Sequence, residues 1–182
     1  MKPRINISSE QARIDRGNKV LAALETETDR GRACVGDAII DDFLKELFSR
    51  RLLDGENVFS ELFEVNQPLG AHGARIKLAY ILGWIGPKTY HDSQSIHKIR
   101  NRMAHNLDID SFDHEVLRGL VDGFEFLADM NVRLGLRRDK FLWAVNCAII
   151  QLWRLLDESK RPAVGTDSAM VRLDPAAPTL EE

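Results

Sequence analysis

The fold is decided by residues 29–53, DRGRACVGDAIIDDFLKELFSRRLL. Apolar residues recur there at one-residue and four-residue steps and form one broad face, made of Ile39, Ile40, Phe43, Leu44, Leu47 and Phe48. Oppositely charged residues follow at i,i+4 spacing on the other side, where they stabilise a helix. They are Asp41 with Lys45 and Glu46 with Arg50. The stretch predicts a long amphipathic helix with a wide buried face.

Helical periodicity continues along the rest of the chain, whereas the alternating runs that are typical of strands are missing. Residues 74–86, ARIKLAYILGWIG, are apolar almost all round after Lys77, so we expect a helix in the middle of a bundle that ends at Gly86-Pro87. Residues 88–105 predict an amphipathic, basic helix. Residues 110–134 predict a helix capped by Asp110 or Ser111, and residues 137–161 a strongly apolar one.

These elements predict an all-α, single-domain bundle of about six helices. We expect residues 1–28 to form an outer helix, residues 29–160 the bundle, and residues 161–182 a flexible tail rich in proline, small residues and acids. The three most apolar helices should form the centre and bury Trp84, Trp143 and Trp153. Cys34 and Cys147 lie in predicted helices, and we interpret them as buried thiols.

Charge is distributed unevenly along the chain. The net charge of −3 over 182 residues gives no general attraction to nucleic acid or membrane. Residues 65–107, however, contain six basic residues against the single acid Asp92, a net charge of +5 that leaves −8 for the remainder. A local basic surface is one interpretation, and basic side chains scattered round two helices are the other.

The chain start, MKPRINISSEQ, is too polar for a signal peptide. The longest apolar run, residues 141–156, is interrupted by Asn146, Gln151 and Arg154 and falls short of the ~20 residues that a membrane span needs. We therefore expect a cytoplasmic protein without a membrane partner.

The stretch IHKIRNRMAHNLDID, residues 96–110, carries the candidate functional residues. Its apolar stripe is predicted to be buried and consists of Ile96, Ile99 and Met103. A polar stripe beside it contains His97, Asn101 and His105, and Arg100 lies next to both stripes. Burying such groups is costly unless they are paired. Either they clamp helices together, for example by bonding Arg100 to Asp42 or Asp113, or they face a groove or a partner subunit.

Arg100 and His105 also suggest a chemistry. An arginine that binds a phosphate and a histidine that moves a proton suffice for metal-free RNA cleavage by the adjacent 2′-hydroxyl. Five positions on a continuous helix place the two side chains about 140° apart. They can meet at one phosphate if the helix ends between them, or if a second subunit completes the site.

No metal site or cofactor is predicted. The two cysteines have no ligand spacing, and the five histidines have none with carboxylates beyond His97 and His105. The adjacent Asp41 and Asp42 would diverge by about 100° on a helix, so we interpret them as part of a solvated face. The chain contains no glycine-rich phosphate loop.

Three stretches together resemble the mannitol operon repressor family of bacteria. They are residues 29–53, residues 68–86 and residues 96–106, with ARIKLAY followed by KIRNRMAH as the most specific part. The resemblance covers most of the chain, from about Asp29 to about Leu155. It implies an all-helical transcriptional regulator that acts through protein partners, without direct sequence-specific DNA binding. No helix pair in the sequence has the short glycine turn and polar recognition helix of a helix-turn-helix.

The segment from Arg100 to His105 also resembles the arginine–four-residue–histidine motif of the HEPN superfamily. Those domains are helical and usually dimeric, and many are metal-independent endoribonucleases of toxin or defence systems, while others only bind. The resemblance implies that Arg100 and His105 are a catalytic pair supported by Asn101. It also makes RNA and a second copy of the chain candidate partners.

The sequence thus supports two functional hypotheses. The first is a mannitol-repressor-like regulator that binds a protein partner, and the second is a HEPN-type ribonuclease. Candidate binding residues beside the motif are His97, Arg102, Arg75 and Lys77.

Overall fold

The computed structural model describes residues 19, 22–52, 58–128 and 134–158. Within these ranges the chain contains helices and no strand, which confirms the predicted all-α class. The helices are α1 (Asp29–Arg51), α2 (Val58–Phe63), α3 (His72–Ile81), α4 (Pro87–His105), α5 (Glu115–Asp122), α6 (Glu125–Ala128) and α7 (Arg137–Asp157), and residues 22–26 are helical as well. The predicted tail and most of the predicted N-terminal helix lie outside the described residues.

The centre of the bundle is formed by α1, α4 and α7, each of which packs against the other two. Their fully enclosed side chains interdigitate, among them Ile40, Phe43, Leu47, Ile96, Ile99, Met103, Phe141 and Val145. The stripe predicted for the basic stretch is therefore buried on α4 as expected. The predicted ion pairs on α1 also form, with Lys45 Nζ 2.7 Å from Asp41 Oδ2 and Arg50 bonded to Glu46.

The apolar helix α3 does not occupy the middle of the bundle, contrary to the prediction, and it stops early. Gly83 has a φ of +68°. Its N–H donates to the carbonyl of Tyr80, while the N–H of Trp84 donates to that of Ala79, which is a Schellman ending. The helix consequently ends before its last apolar turn, and Ile81 is 78% exposed. The amphipathic α4 takes the central position instead, with Pro87 as its first residue.

The predicted fifth helix is divided in two. His114, and neither Asp110 nor Ser111, caps α5, with its Nδ1 accepting from the N–H of Val116. Gly123 ends α5, and α6 begins two residues later. The buried carboxylate of Asp92 on α4 accepts from the first N–H groups of α6, so a contact with another helix decides where α6 begins.

The predictions for the tryptophans and cysteines are partly wrong. Trp84 and Trp153 are half-buried against the core, but Trp143 is 37% exposed. Trp143 lies about 200° round α7 from the buried Phe141, so it faces away from the bundle. Cys34 is exposed and Cys147 is half-buried, so neither is the enclosed thiol that was expected. None of the described helices combines the length and apolar character needed to cross a membrane.

Candidate functional site

The polar stripe of α4 faces a buried carboxylate that the sequence did not reveal. Asp37 lies on α1 and is 5% exposed. His97 Nδ1 lies 3.1 Å from its Oδ1 and 3.3 Å from its Oδ2. Arg100 Nε lies 3.7 Å from the same Oδ2. The carboxylate partner of Arg100 is therefore Asp37, and not the predicted Asp42 or Asp113.

A third helix contributes His72, the first residue of α3, which is 8% exposed. Its Nδ1 lies 2.9 Å from Asp37 Oδ1, and its ring meets the ring of His97 edge-on with 4.9 Å between centroids. Among the described residues, however, neither ring nitrogen of His72 has a partner at hydrogen-bonding angles. The contact with Asp37 is therefore close but poorly directed.

The charge of Asp37 follows from these contacts. Burial alone would raise the pKa of the Asp37 carboxyl. The contacts with His72 and His97 together lower this pKa by more than burial raises it, so it lies well below the usual 3.8. Asp37 is consequently a carboxylate at neutral pH. A buried anion surrounded by two imidazoles and a guanidinium is compensated by its neighbours.

Asn101 links Arg100 to His97. Arg100 Nη1 donates to Asn101 Oδ1 at 2.8 Å, which turns the amide Nδ2 toward His97 Nε2 at 3.1 Å. Because Nδ2 donates, Nε2 must accept, and the proton of a neutral His97 then lies on Nδ1, where it can bond to Asp37. Arg100 and Asn101 thus orient His97 and select its tautomer.

The cluster of Asp37, His72 and His97 also has the composition of a metal site. Each residue offers one ligand atom, and the three atoms lie within 4.8 Å of one another. The ligand spacing is not local, since His97 and Asp37 are 60 positions apart, so no metal site was predicted. His72 lies two residues before the helix predicted for residues 74–86, in a stretch interpreted as a connection, so the sequence offered little signal for it.

The structure separates the two residues of the arginine–histidine motif. Helix α4 continues through both Arg100 and His105, so the side chains project about 140° apart. Arg100 and His105 of one chain therefore cannot meet at one phosphate by way of a helix end between them. A site completed by a second copy stays a prediction.

The remaining binding candidates differ in accessibility. Arg75 is 3% exposed, and its guanidinium bonds to Asp41 and to the carbonyl of Leu69. Asp41 is consequently an internal ion-pair partner as well as a member of the outer face of α1. Lys77 is exposed. Arg102 is exposed too, and its Nη1 donates to the carbonyl of Val116 at 2.6 Å.

Arg30 is a structural residue that was not predicted. It lies on α1, and its side chain binds the C-terminal end of α4. Its guanidinium donates to the carbonyl of Met103, and to those of Leu107 at 2.9 Å and Ile109 at 3.1 Å. The last carbonyls of a helix lack intrahelical partners, and the guanidinium supplies one to Met103 while it also binds the segment that follows the helix. Arg30 thereby fixes the end of the helix that carries the site.

Comparison with known proteins identifies the family. A search of curated proteins gives no match. Among solved structures, the chain is similar to one described as the X-ray structure of the MtlR-HPr complex from Escherichia coli, with a TM-score of 0.54 and 19% sequence identity over 78% of this chain and 96% of that one. At that identity the similarity shows a shared fold. The family described as mannitol repressor matches residues 31–145, and the chain therefore belongs to the mannitol repressor family.

Proposed function

We propose that this protein is a cytoplasmic transcriptional regulator that acts by binding a protein partner and not through a DNA-binding motif of its own. The observation that carries the proposal is the family match over residues 31–145, from the first turns of α1 to the middle of α7. The match includes every residue of the cluster around Asp37. The family's description as a repressor supports a regulatory role.

We infer that the partner is an HPr protein. The similar solved structure is a complex of an MtlR protein with HPr, and 96% of that chain is matched by this fold. A bundle that shares this architecture can present a comparable set of helix faces. The inference rests on that shared architecture and on the family.

The basic segment supplies a candidate contact surface. Arg75 and Arg100 bond to Asp41 and Asp37 inside the chain, so they brace α3 and α4 against α1. Lys77 and Arg102 remain exposed on the same two helices. In a protein whose remainder is acidic, exposed basic groups favour a partner with an acidic surface, because complementary charge speeds association and selects the partner.

Isothermal titration calorimetry of the purified full chain with HPr from the same organism tests the partner. We expect saturable binding that weakens as salt is raised. Light scattering before and after mixing measures the mass of the free protein, which tests the predicted homodimer, and the mass of the complex. Absence of heat and of a mass change at about 100 μM of both proteins, a concentration well above the Kd of a functional complex, would overturn the HPr assignment.

Selection from a random-sequence duplex DNA library tests the second part of the proposal. The protein alone should enrich no motif. Enrichment of a defined sequence by the protein alone would show direct recognition and would contradict action through a partner. The two experiments are independent, so failure of one leaves the other interpretable.

A further inference from the structure

We propose that Asp37, His72 and His97 form a binding site for a divalent transition metal ion, with Zn²⁺ as the best-fitting ion. The three residues come from α1, α3 and α4, so the ion would join three helices of the bundle. The inference is independent of the proposed regulatory function. It rests on the geometry and the chemistry of these three side chains.

The ligand set suits Zn²⁺. Two imidazoles and one carboxylate are a nitrogen and oxygen set that zinc prefers, and three protein ligands leave a fourth position for water or for an incoming group. A tetrahedral ion with bonds of about 2.0–2.2 Å separates its ligand atoms by about 3.4 Å. Asp37 Oδ1 lies 2.9 Å from His72 Nδ1 and 3.1 Å from His97 Nδ1. Small movements would therefore accommodate the ion.

The environment of His72 is the second observation. Its side chain is 7% exposed, and within the described part of the chain both ring nitrogens lack a partner with hydrogen-bonding geometry. Enclosing a polar group in this way costs free energy. A metal bond to Nδ1 would satisfy that nitrogen and would explain why a histidine occupies this position at the start of α3.

The cluster also offers an anionic ligand and access from solvent. Asp37 supplies a negatively charged oxygen ligand that is 5% exposed and lies beside both imidazoles. The single cationic group facing it among the described residues is Arg100, at 3.7 Å. His97 is 21% exposed at its side chain, which gives an ion a path from solvent.

Asn101 and Arg100 would act as positioning residues for the metal ligand His97. When Nδ1 binds the ion, the proton of the neutral imidazole moves from Nδ1 to Nε2 by exchange with water. The Asn101 amide must then turn so that its oxygen accepts from Nε2–H. In the structure, that oxygen accepts from Arg100. Turning the amide would therefore break the hydrogen bond between Arg100 and Asn101.

Calorimetric titration of untagged, chelator-treated full-length protein with Zn²⁺ tests the site. We expect one equivalent per chain with a Kd of about 10 μM or tighter. His72→Gln and His97→Gln should each weaken binding at least about 100-fold, because even partners outside the ligand set cost about 10- to 100-fold. His91→Gln is the matched control, since His91 is also on α4 but is 46% exposed, and it should bind as the wild type does.

Three further measurements keep the outcome decisive. Circular dichroism of each variant without metal shows whether it folds, and Co²⁺ absorption of the wild type reports a tetrahedral site without any variant. Cys34→Ser should leave the titration unchanged, which excludes the exposed thiol as the ligand. The proposal is overturned if the wild type takes up no stoichiometric Zn²⁺, or if folded His72→Gln and His97→Gln bind it undiminished.

Discussion

The Nδ1 atom of His97 lies 3.1 Å from Oδ1 of Asp37 and connects α4 to α1 across 60 positions of sequence. This contact joins the polar stripe of α4 to a buried carboxylate, so that the stripe becomes part of a charged cluster. It also explains why polar residues are tolerated beside the buried stripe of α4: His97 and Arg100 meet a carboxylate on α1, and Asn101 bonds to both of them.

Stability should depend on the ionisation of Asp37. Its pKa in the folded protein is lower than the usual 3.8, so its stabilising contribution is complete above that value and is lost as the pH falls below it toward the folded pKa. We expect Asp37→Asn to cost about 2–4 kcal/mol at pH 5, because it removes the charge that compensates Arg100 and the two imidazoles. The difference in unfolding free energy between wild type and variant should be about 1 kcal/mol smaller at pH 3 than at pH 5.

Urea denaturation of both proteins at pH 5 and pH 3 measures that difference. Carboxyl groups remote from position 37 are the same in both proteins, so the comparison isolates Asp37 together with the groups that contact it. A difference that stays constant, or grows, between the two pH values would contradict the lowered pKa.

Gly36 is required by the close approach of α1 to α7. A Cβ added there would lie 3.0 Å from Val145 Cγ2 and 3.4 Å from Phe141 Cε1. Val145 is fully buried and β-branched, so it has little freedom to move. We expect Gly36→Ala to lose about 1 kcal/mol of unfolding free energy, since the overlap outweighs the gain in helix propensity.

Gly119→Ala is the matched comparison. Gly119 also lies within a helix, α5, but a Cβ there would have nothing within 4 Å. We expect this variant to be more stable than the wild type by about 0.5–1 kcal/mol, because alanine favours the helix. Opposite shifts in the denaturation midpoints of the two variants would support the packing argument, and equal shifts would refute it.

Asp92 should contribute strongly to stability through α6. It is fully buried, and its two oxygens accept from the N–H groups of Glu125 at 2.8 Å and Phe126 at 3.1 Å. We expect Asp92→Ala to lower the unfolding free energy by about 2–4 kcal/mol, because both donors lose their partner. Asp42→Ala is the control: its side chain is 69% exposed, and the change should stay within about 0.5 kcal/mol. Similar costs for the two variants would argue against the capping role.

Exposed basic groups should set the affinity for HPr if the proposed function is right. We expect Lys77→Glu to weaken binding by about 3- to 10-fold in low salt, with a smaller effect at about 0.5 M salt because screening removes the charge term. Lys19→Glu reverses a charge that is exposed but lies outside the basic segment, and should have little effect. If HPr binds and both variants behave as the wild type, the contact surface lies elsewhere.

Purified protein should leave RNA intact in EDTA. Arg100 and His105 of one chain project from different sides of α4, so they cannot both contact one phosphate. Gel analysis of several RNAs, with wild type beside His105→Ala, measures this directly. Cleavage that yields 2′,3′-cyclic phosphate ends and disappears in His105→Ala would instead show that a second copy completes a ribonuclease site.

Several features were determined by the sequence itself. The helical class, the wide apolar face of α1 and the buried stripe of Ile96, Ile99 and Met103 all follow from a period of 3.6 residues, which depends on near neighbours along the chain. The polar stripe of His97, Asn101 and His105, with Arg100 beside it, was visible for the same reason. Local spacing also predicted the ion pairs on the outer face of α1.

Other features were decided only by the tertiary structure. The pairing of His97 with Asp37, the approach of His72 and the start of α6 at Asp92 join residues that are far apart in sequence, and periodicity does not specify which helices become neighbours. The same holds for Ile81, whose exposure results from where α3 ends and what packs beside it. Helix formation is local, whereas the partner of a buried polar group depends on how the helices pack.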